Sequence, residues 1–565
     1  MEERRRVAAV LEELAMLAEL AGENPFKVRA MANAARAVLR HQEDLNETAA
    51  RGELTGIPGI GKGIAAIIVE TLDRGEPAQL AELRDKLPAG LPELLSLPGL
   101  GSKRVRILWQ ELGITTPGEL EYACRENRLV TLAGFGPASQ KKLLDAIEFR
   151  RHSADKHHLS TGWQAAEETL AALRHALPSC AAEVAGEVRR YCEVITEVVV
   201  VCAGAPAAKV KAALAKVLEG IAVSREAVTG RHPSGPPVRV FTPPRAGFGL
   251  ALLWHTGSRE HLDQLAAHAV RGRLKLADGT LADAAGHEIS CTEEREAYGK
   301  LGLPWIAPEL REGTGEVAAA AKGTLPKLVE EDDLLGAVHV HTTDSDGTAS
   351  LAEMAEAAST LGWSLLGIAD HSQVAAYAHG LDAERLRAQG EAIATHNARG
   401  GKPLLLRGLE ADVLADGVLD LPAGVPLDFV VASVHSSFRQ STEAQTTRLA
   451  RAVSRGRGTI LGHPTGRLLL AREGYQVDLE AVLQAAAKSG AAVEINAHPF
   501  RLDLDWRWVR RAVALGVPIV IAPDAHDPAG LADVRWGLGI ARKGWATASD
   551  VLNAKSWPWW PHEQA

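Results

Sequence analysis

Three textures of apolar and polar positions follow one another along the chain. The opening stretch, MEERRRVAAVLEELAMLAEL, alternates acids with apolar residues at helical spacing, and Gly-x-Gly turns punctuate the helical segments that follow as far as about residue 150. The middle reads as a helix and then strands, with AAEVAGEVRRYCEVITEVVVVCAG and VRVFTPP as the clearest β-rich runs. From residue 336 seven short apolar runs appear, in GAVHVHTTDSDG, LLGIADHS, PLLLRGLEADV, DFVVASVHSS, TILGHPTG, AAVEINAHP and IVIAPDAHD. Amphipathic segments such as LAEMAEAASTL and EAVLQAAAKSG separate several of them, a βα rhythm that predicts a parallel (β/α)7-type barrel. The fold class expected is therefore multidomain, α+β followed by α/β.

Length supports that division, because 565 residues exceed what one core ordinarily serves and predict three or four domains. With 46% hydrophobic and 24% charged residues, the composition excludes a largely disordered chain. The head lacks the unbroken apolar core of a signal peptide, and no stretch is apolar enough to span a bilayer, so no membrane partner is expected. Cys124, Cys180, Cys192, Cys202 and Cys291 form no CxxC pair, which suits a reducing cytoplasm. The net charge of -9 seems to oppose a nucleic-acid partner, but its distribution changes the picture. Lys103, Arg104 and Arg106, then Lys141 and Lys142, then Arg150 and Arg151 place basic clusters in the first 150 residues. A Trp-rich tail, WPWWP at 557–561, suggests packing on the barrel.

LTGIPGIGKGIAAII at 54–68, LLSLPGLGSKRVRIL at 94–108 and LAGFGPASQKKLL at 132–144 repeat one pattern: an apolar residue, a Gly-x-Gly turn, then a helix. The glycines Gly59 and Gly61, Gly99 and Gly101, and Gly134 and Gly136 allow positive φ and close approach of a phosphate to the backbone. The free N–H groups of the helix that follows then face that anion. With Lys62, Lys103, Arg104 and Lys141 just after the turns, the repeats predict sequence-independent DNA binding. They resemble helix-hairpin-helix motifs.

Six of the seven C-terminal runs carry His, Asp or Glu within or just beyond their C-terminal part, where a barrel of this kind places its active site. In HVH, alternation puts His339 and His341 on one strand face, as it does Asp524 and His526 in DAH, so each pair is expected to chelate one ion. Asp346, His371, Glu410, His435 and His463 complete nine donors, enough for two or three ions. Imidazole and carboxylate without thiolate suits manganese, with zinc or iron as alternatives. His379 and His498 are left out as structural or solvent-facing, and the pair Arg501 and Asp503 either positions phosphate or braces a loop.

This set resembles the PHP domain, whose members hydrolyse phosphoesters with a trinuclear metal centre. The resemblance implies in-line attack on phosphorus, with His339, His341, Glu410, His435 and Asp524 at the heart of catalysis. The helical segment NPFKVRAMANAARAV at 24–38 resembles the N-terminal domain of family X DNA polymerases, as does LLWHTGSREHLDQLAAHAVRGRLKL farther on. The family's lyase lysine falls on Ile67, which excludes Schiff-base chemistry there.

The family's palm motif is matched by Gly186, Arg189 and Arg190, but its serine becomes Glu187 and its carboxylate pair becomes Glu197 and Val199. A third carboxylate falls on or beside Val238 or Arg239. Glu193 and Glu197 would share a strand face about 13 Å apart, too far to clamp the same magnesium or manganese ions. The polymerase site is therefore expected to be degenerate and to bind no dNTP, Glu187 remaining open as a ligand in a rearranged site.

The resemblance as a whole implies a bacterial family X polymerase with a C-terminal PHP domain. Residues 1–80 would form an N-terminal domain with a helix-hairpin-helix, 81–155 a second one, 156–250 a polymerase-beta-like nucleotidyltransferase palm and 251–320 a thumb. Residues 321–335 would be a linker and 336–565 the phosphoesterase. The expected function is DNA repair by metal-dependent 3'-5' exonuclease action on gapped or 3'-recessed DNA, by a monomer at the nucleoid. The alternative is a weak manganese-dependent polymerase with an associated nuclease.

Overall fold

Leucines and valines at helical spacing along Glu2–Ala21 face two different cores. Leu14, Leu17 and Leu20 join Leu80, Leu94, Leu108 and Leu143 in one cluster, while Val7 and Leu11 join Ala34, Val38 and Ile68 in another. Arg106 Nη2 donates to the Glu19 carbonyl at 2.9 Å, tying the second hairpin back to the same helix. Residues 1–80 and 81–155 are thus one compact unit, 1–154, because a single helix supplies both cores. The computed structural model describes residues 2–41, 43–125, 129, 132, 134–153 and 155–554. The 557–561 tail and the side chains of Arg150 and Arg151 lie outside the described part. Among described residues, no helix is long and apolar enough to cross a membrane.

The second unit, 155–565, begins with a five-stranded mixed sheet. Val198–Ala203, apolar on both faces, lies between Ala181–Ala185, to which it is antiparallel, and Pro237–Phe241, to which it is parallel. Ala227–Arg231 and Glu219–Val223 extend the sheet. The β-rich run CEVITEVVVV does not form one strand. Val194–Ile195 pairs with His157–His158, and the sheet strand starts afresh at Val198. Helices Phe248–Thr256, Arg259–Arg271 and Glu294–Lys300 follow, around a separate core of Leu253, Leu265, Tyr298 and Ile306.

All seven apolar runs from residue 336 form strands of a parallel barrel. Gly336–Val340, Leu365–Ile368 and Leu404–Arg407 make one parallel group, and Glu410–Asp412, Val430–Ser433, Thr459–Leu461, Ala492–Asn496 and Ile519–Ala522 another. The third run, PLLLRGLEADV, is bent at Gly408–Leu409, so its first half pairs backwards and its second half forwards. Gly408 is required at the bend: a Cβ there would lie 2.2 Å from the Phe429 ring and 2.6 Å from the Ile368 carbonyl. Bridges His371 to Glu410 and Val340 to Ala525 complete the ring.

Residues 321–335 do not behave as a free linker. Val329 is fully buried, and its N–H donates to the Ala546 carbonyl at 3.0 Å. The scaffold and barrel are also joined by charge. Arg467 pairs with Glu193 at 3.3 Å, Arg542 with Glu309 at 2.7 Å, and the buried Lys543 with Glu312 while donating to the Arg190 carbonyl at 2.9 Å. Tyr191 packs on Gly539, where there is no room for a Cβ.

Candidate metal centre

The nine donors come together at the C-terminal ends of the barrel strands. Glu410 sits at their centre and is buried. Its Oε1 lies 3.2 Å from His339 Nε2, 3.2 Å from His435 Nε2 and 3.1 Å from His463 Nε2. Its Oε2 lies 2.9 Å from His371 Nδ1 and 3.6 Å from His341 Nε2. Three overlapping groups have ligand atoms close enough for one ion each: His341, Asp346, His371 and His526; His339, His341 and Asp524; His371, Glu410 and His435. His341 and His371 are shared between groups. Asp346, His435 and His526 are the members that reach solvent appreciably, with side chains 30%, 13% and 38% exposed.

Simple strand alternation does not produce this arrangement. His339 has φ +62° at a register shift between Ala337 and Val340, Asp524 has φ +54° just beyond its strand, and His463 has φ +25°. Left-handed backbone at non-glycine residues is strained and concentrates at sites whose surroundings over-determine it. The consequence is visible in the partners. Asp524 joins His339 and His341, whereas His526 joins Asp346 and His371, so the DAH pair divides between two groups instead of chelating one ion.

Whether the donors fit cations can be judged from their hydrogen bonds. His339 Nε2, both ring nitrogens of His341, and Glu410 Oε2 are buried and satisfy no hydrogen bond, although carboxylates or imidazoles stand opposite them. A buried polar atom is normally paired; here the donor atoms converge on common points, as ligands do. Burial opposes the ionisation of Glu410, but His435, His371 and His339 outweigh it and hold the carboxyl well below the usual range. Burial likewise lowers the imidazoles, yet Glu410 and Asp346 carry His371 up to about 10, and Glu410 and Asp412 carry His435 up to about 9. His463, buried with Arg501 nearby, falls to about 4. A donor set this charge-coupled, without thiolate, fits divalent metal ions.

Reading the sequence alone missed the residues that orient these ligands. Glu494 Oε1 faces His339 Nδ1 at 2.5 Å, and its Oε2 accepts the His463 N–H at 2.5 Å. Asp412 lies 3.1 Å from His435 Nδ1, and Asn496 donates to Asp524 at 3.0 Å. Asp370 accepts from the Thr342 N–H and from Gln389, holding the loop that carries Asp346. An acid or amide between apolar neighbours on an interior strand, as in AVEIN, was the available signal. Of the Arg501 and Asp503 pair, Asp503 braces a loop by accepting the Thr465 N–H at 2.9 Å, while Arg501 Nε stands 3.8 Å from Asp524. His498, set aside from sequence, lines a cleft of about 410 Å³ with Asp524 and His526; His379 belongs to none of the donor groups.

The palm positions are arranged otherwise. Glu197 pairs with Arg239 at 3.0 Å, and Val199 is in register with Arg239 on the neighbouring strand. Gly186 lies directly on Val199, within an apolar patch of Ala185, Val201 and Leu252. Glu187 accepts from the Thr196 N–H at 2.6 Å and its hydroxyl at 2.9 Å, so it closes a turn. Glu193 is not beside Glu197: separated by the strand break, it turns to Arg467 of the barrel. Arg189 forms a fork with Glu294 at 2.7 and 2.9 Å, and Arg190 pairs with Glu312 at 2.9 Å, so both arginines are committed to the fold.

In the first unit, Gly59, Gly99 and Gly134 have φ of +91°, +89° and +86°, as the hairpins require. Gly61 and Gly101 precede helices Lys62–Arg74 and Ser102–Leu112 with extended backbone. A Cβ at Gly61, Gly101 or Gly136 would meet nothing within 4 Å among the described residues, so none of those contacts demands glycine there. Lys62, Lys103 and Lys141 are exposed. Arg104 instead folds back, donating to the Gly99 carbonyl at 3.0 Å and covering the Phe135 ring. Ile67 packs against both cores of the unit.

These parts define the class: a parallel barrel with a histidine and carboxylate centre, joined to a nucleotidyltransferase-like scaffold and helical hairpins. The comparisons bear on four of these segments. Family models match a helix-hairpin-helix domain at 2–77, a SAM-like helix-hairpin-helix tandem at 91–148, a DNA polymerase beta thumb at 251–312 and a PHP domain at 337–498. The DNA polymerase/3'-5' exonuclease PolX of Bacillus subtilis is 34% identical over 568 residues, spanning 98% of either chain. This chain belongs to the PolX family of bacterial family X DNA polymerases with a C-terminal PHP domain. The barrel alone is similar to probable phosphatases: 30% identical over 161 residues in Thermoanaerobacter pseudethanolicus and 29% over 165 in Shewanella oneidensis. Those matches span 26% and 27% of this chain, and 63% and 59% of the phosphatases.

Proposed function

We propose that this chain is a DNA-repair 3'-5' exodeoxyribonuclease whose PHP barrel hydrolyses the terminal phosphodiester, and whose palm no longer synthesises DNA. The observation that carries it is the convergence of His339, His341, Asp346, His371, Glu410, His435, Asp524 and His526 on three overlapping donor groups, with His463 3.1 Å from the central Glu410. Divalent ions bound there, manganese in this reading, supply Lewis-acid activation of water and neutralise charge on the phosphoryl oxygens. Glu410 and Asp524 hold negative charge at the centre, while Glu494, Asp412 and Asn496 fix the orientation of His339, His435 and Asp524. Arg501 stands where a nonbridging phosphate oxygen is countered.

DNA is held without sequence preference by the three hairpins. Gly61, Gly101 and Gly136 leave their backbone open to a phosphate, and Lys62, Lys103 and Lys141 supply exposed charge. The substrate is a gapped or 3'-recessed duplex, acted on by a monomer in the cytoplasm at the nucleoid. The relative's printed activities are synthesis and 3'-5' degradation. The barrel supports the second; the palm argues against the first, because among the family's three carboxylate positions only Glu197 carries one, and it pairs with Arg239.

A manganese-dependent assay on a 3'-recessed, end-labelled duplex, with and without dNTPs, tests both halves. Shortening that disappears in His339→Ala, persists in Glu197→Ala and is never replaced by extension is expected. Extension abolished by Glu197→Ala would restore the polymerase reading, and shortening unaffected by His339→Ala would refute the assignment of the barrel.

A further inference from the structure

Phe500 is out of place for a core residue. Its side chain is 51% exposed, beside one of the most polar sites in the molecule. The turn that carries it is well held: the Phe500 carbonyl accepts the Leu469 N–H at 2.7 Å, its own N–H reaches His498 Nδ1 at 3.3 Å, and the His498 carbonyl accepts the Arg501 N–H at 2.8 Å. Two imidazoles flank the ring, His158 from the scaffold with centroids 4.6 Å apart and His498 at 5.3 Å. His498 itself lines the cleft with Asp524 and His526. A fixed backbone thus presents an aromatic ring beside His498, which lines the cleft with the metal-centre residues, although burying that ring would be favourable.

Cationic residues lie in the same turn and in the segment hydrogen-bonded to it through Leu469. Arg501, the next residue, directs Nε to within 3.8 Å of Asp524. Arg472 is exposed, anchored on the Gly466 carbonyl at 2.8 Å and stacked over Phe438 at 4.7 Å, and its guanidinium lies near enough to feel the charge of Arg501. An exposed aromatic ring with guanidinium groups nearby can hold single-stranded nucleic acid, the base stacking on the ring and the backbone lying on the cations.

We infer that Phe500 is the stacking platform for the 3'-terminal nucleobase, with Arg501 and Arg472 taking the adjoining phosphates. Phe500 is then a positioning residue that selects a nucleotide end over a small phosphate ester. This rests on the reading of the barrel as a DNA 3'-end hydrolase. Base–aromatic stacking of the ordinary strength corresponds to about a 5- to 150-fold change in affinity.

The test uses the full chain in manganese and a single-stranded oligonucleotide with 2-aminopurine at its 3' terminus and a phosphorothioate terminal linkage, so that fluorescence is read before cleavage. Quenching in the unaltered chain and in Phe500→Trp, lost in Phe500→Ala, is expected. In parallel, kcat/KM is compared for a normal and an abasic 3'-terminal residue on an oxygen-bridged strand. The unaltered chain should prefer the base by about 5- to 150-fold, through KM, and Phe500→Ala should treat both ends alike while keeping its rate on the abasic end. Equal quenching with and without the ring, or an undiminished base preference in Phe500→Ala, overturns the inference. Ring-dependent quenching without mononucleotide release would leave the platform standing and refute the nuclease reading instead.

Discussion

Replacing Glu312 by Gln should destabilise the second unit more than any exposed charge change, because it leaves two buried cations facing each other. Glu312 is 16% exposed and neutralises both Arg190, at 2.9 Å and 11% exposed, and Lys543, 1% exposed. Burial raises its carboxyl, but Lys543 and Arg190 outweigh that and keep it below its ordinary range. Its contribution is therefore complete above the unfolded-state value of about 4.3 and is lost as pH falls through the lower folded one. Two attractions between unit charges about 4 Å apart amount to about 4 kcal/mol each at an intermediate dielectric, before desolvation is offset. Removing one partner of such a buried pair costs about 3–5 kcal/mol. Lys543→Met should cost less, about 1–3 kcal/mol, since Glu312 keeps Arg190 and only the Arg190 carbonyl loses its donor. In the Lys543→Met background, Glu312→Gln then confronts one cation rather than two, so the double variant should be more stable than the sum by about 1–2 kcal/mol. Urea unfolding at pH 7, followed by fluorescence of the neighbouring tryptophans, measures all three. Additive losses, or a Glu312→Gln cost under about 1 kcal/mol, would refute the argument that this charge is held by both cations.

Val199→Asp combined with Arg239→Asp places carboxylates beside Glu197 on the two paired strands, and should create manganese-dependent primer extension that the proposed reading expects the unaltered chain to lack; equal extension before and after would show that the natural palm is already competent. Glu494→Gln removes the charge that orients His339, and should weaken manganese binding, read by metal titration, about 10- to 100-fold with little change in circular dichroism. Gly61→Ala and Gly101→Ala introduce a methyl group into open space, so DNA affinity in a filter-binding or anisotropy assay should fall while Tm stays within about 1 °C; a matching loss of stability would place those glycines in the fold and not at a DNA backbone.

The barrel and its ligands were legible because their signals are local. Each donor from His339 to His526 sits in or just after its own apolar run, and the strand ends then gather them without long-range instruction. The hairpins were legible for the same reason: Gly59, Gly99 and Gly134 need positive φ within the turn that contains them. Partners set by packing were not. Glu193 finds Arg467 at a separation of 274 residues, and Lys543 reaches the Arg190 carbonyl across 353. No pattern near either residue encodes those meetings. The break at Thr196–Glu197 and the bend at Gly408 follow from strands pairing with two different neighbours. So the order of secondary elements and the kind of chemistry follow from spacing along the chain. Which carboxylate is neutralised, which histidine shares a ligand group and which aromatic ring stays uncovered depend on the three-dimensional packing of distant segments, where burial and Coulomb energy act through space and not along the sequence.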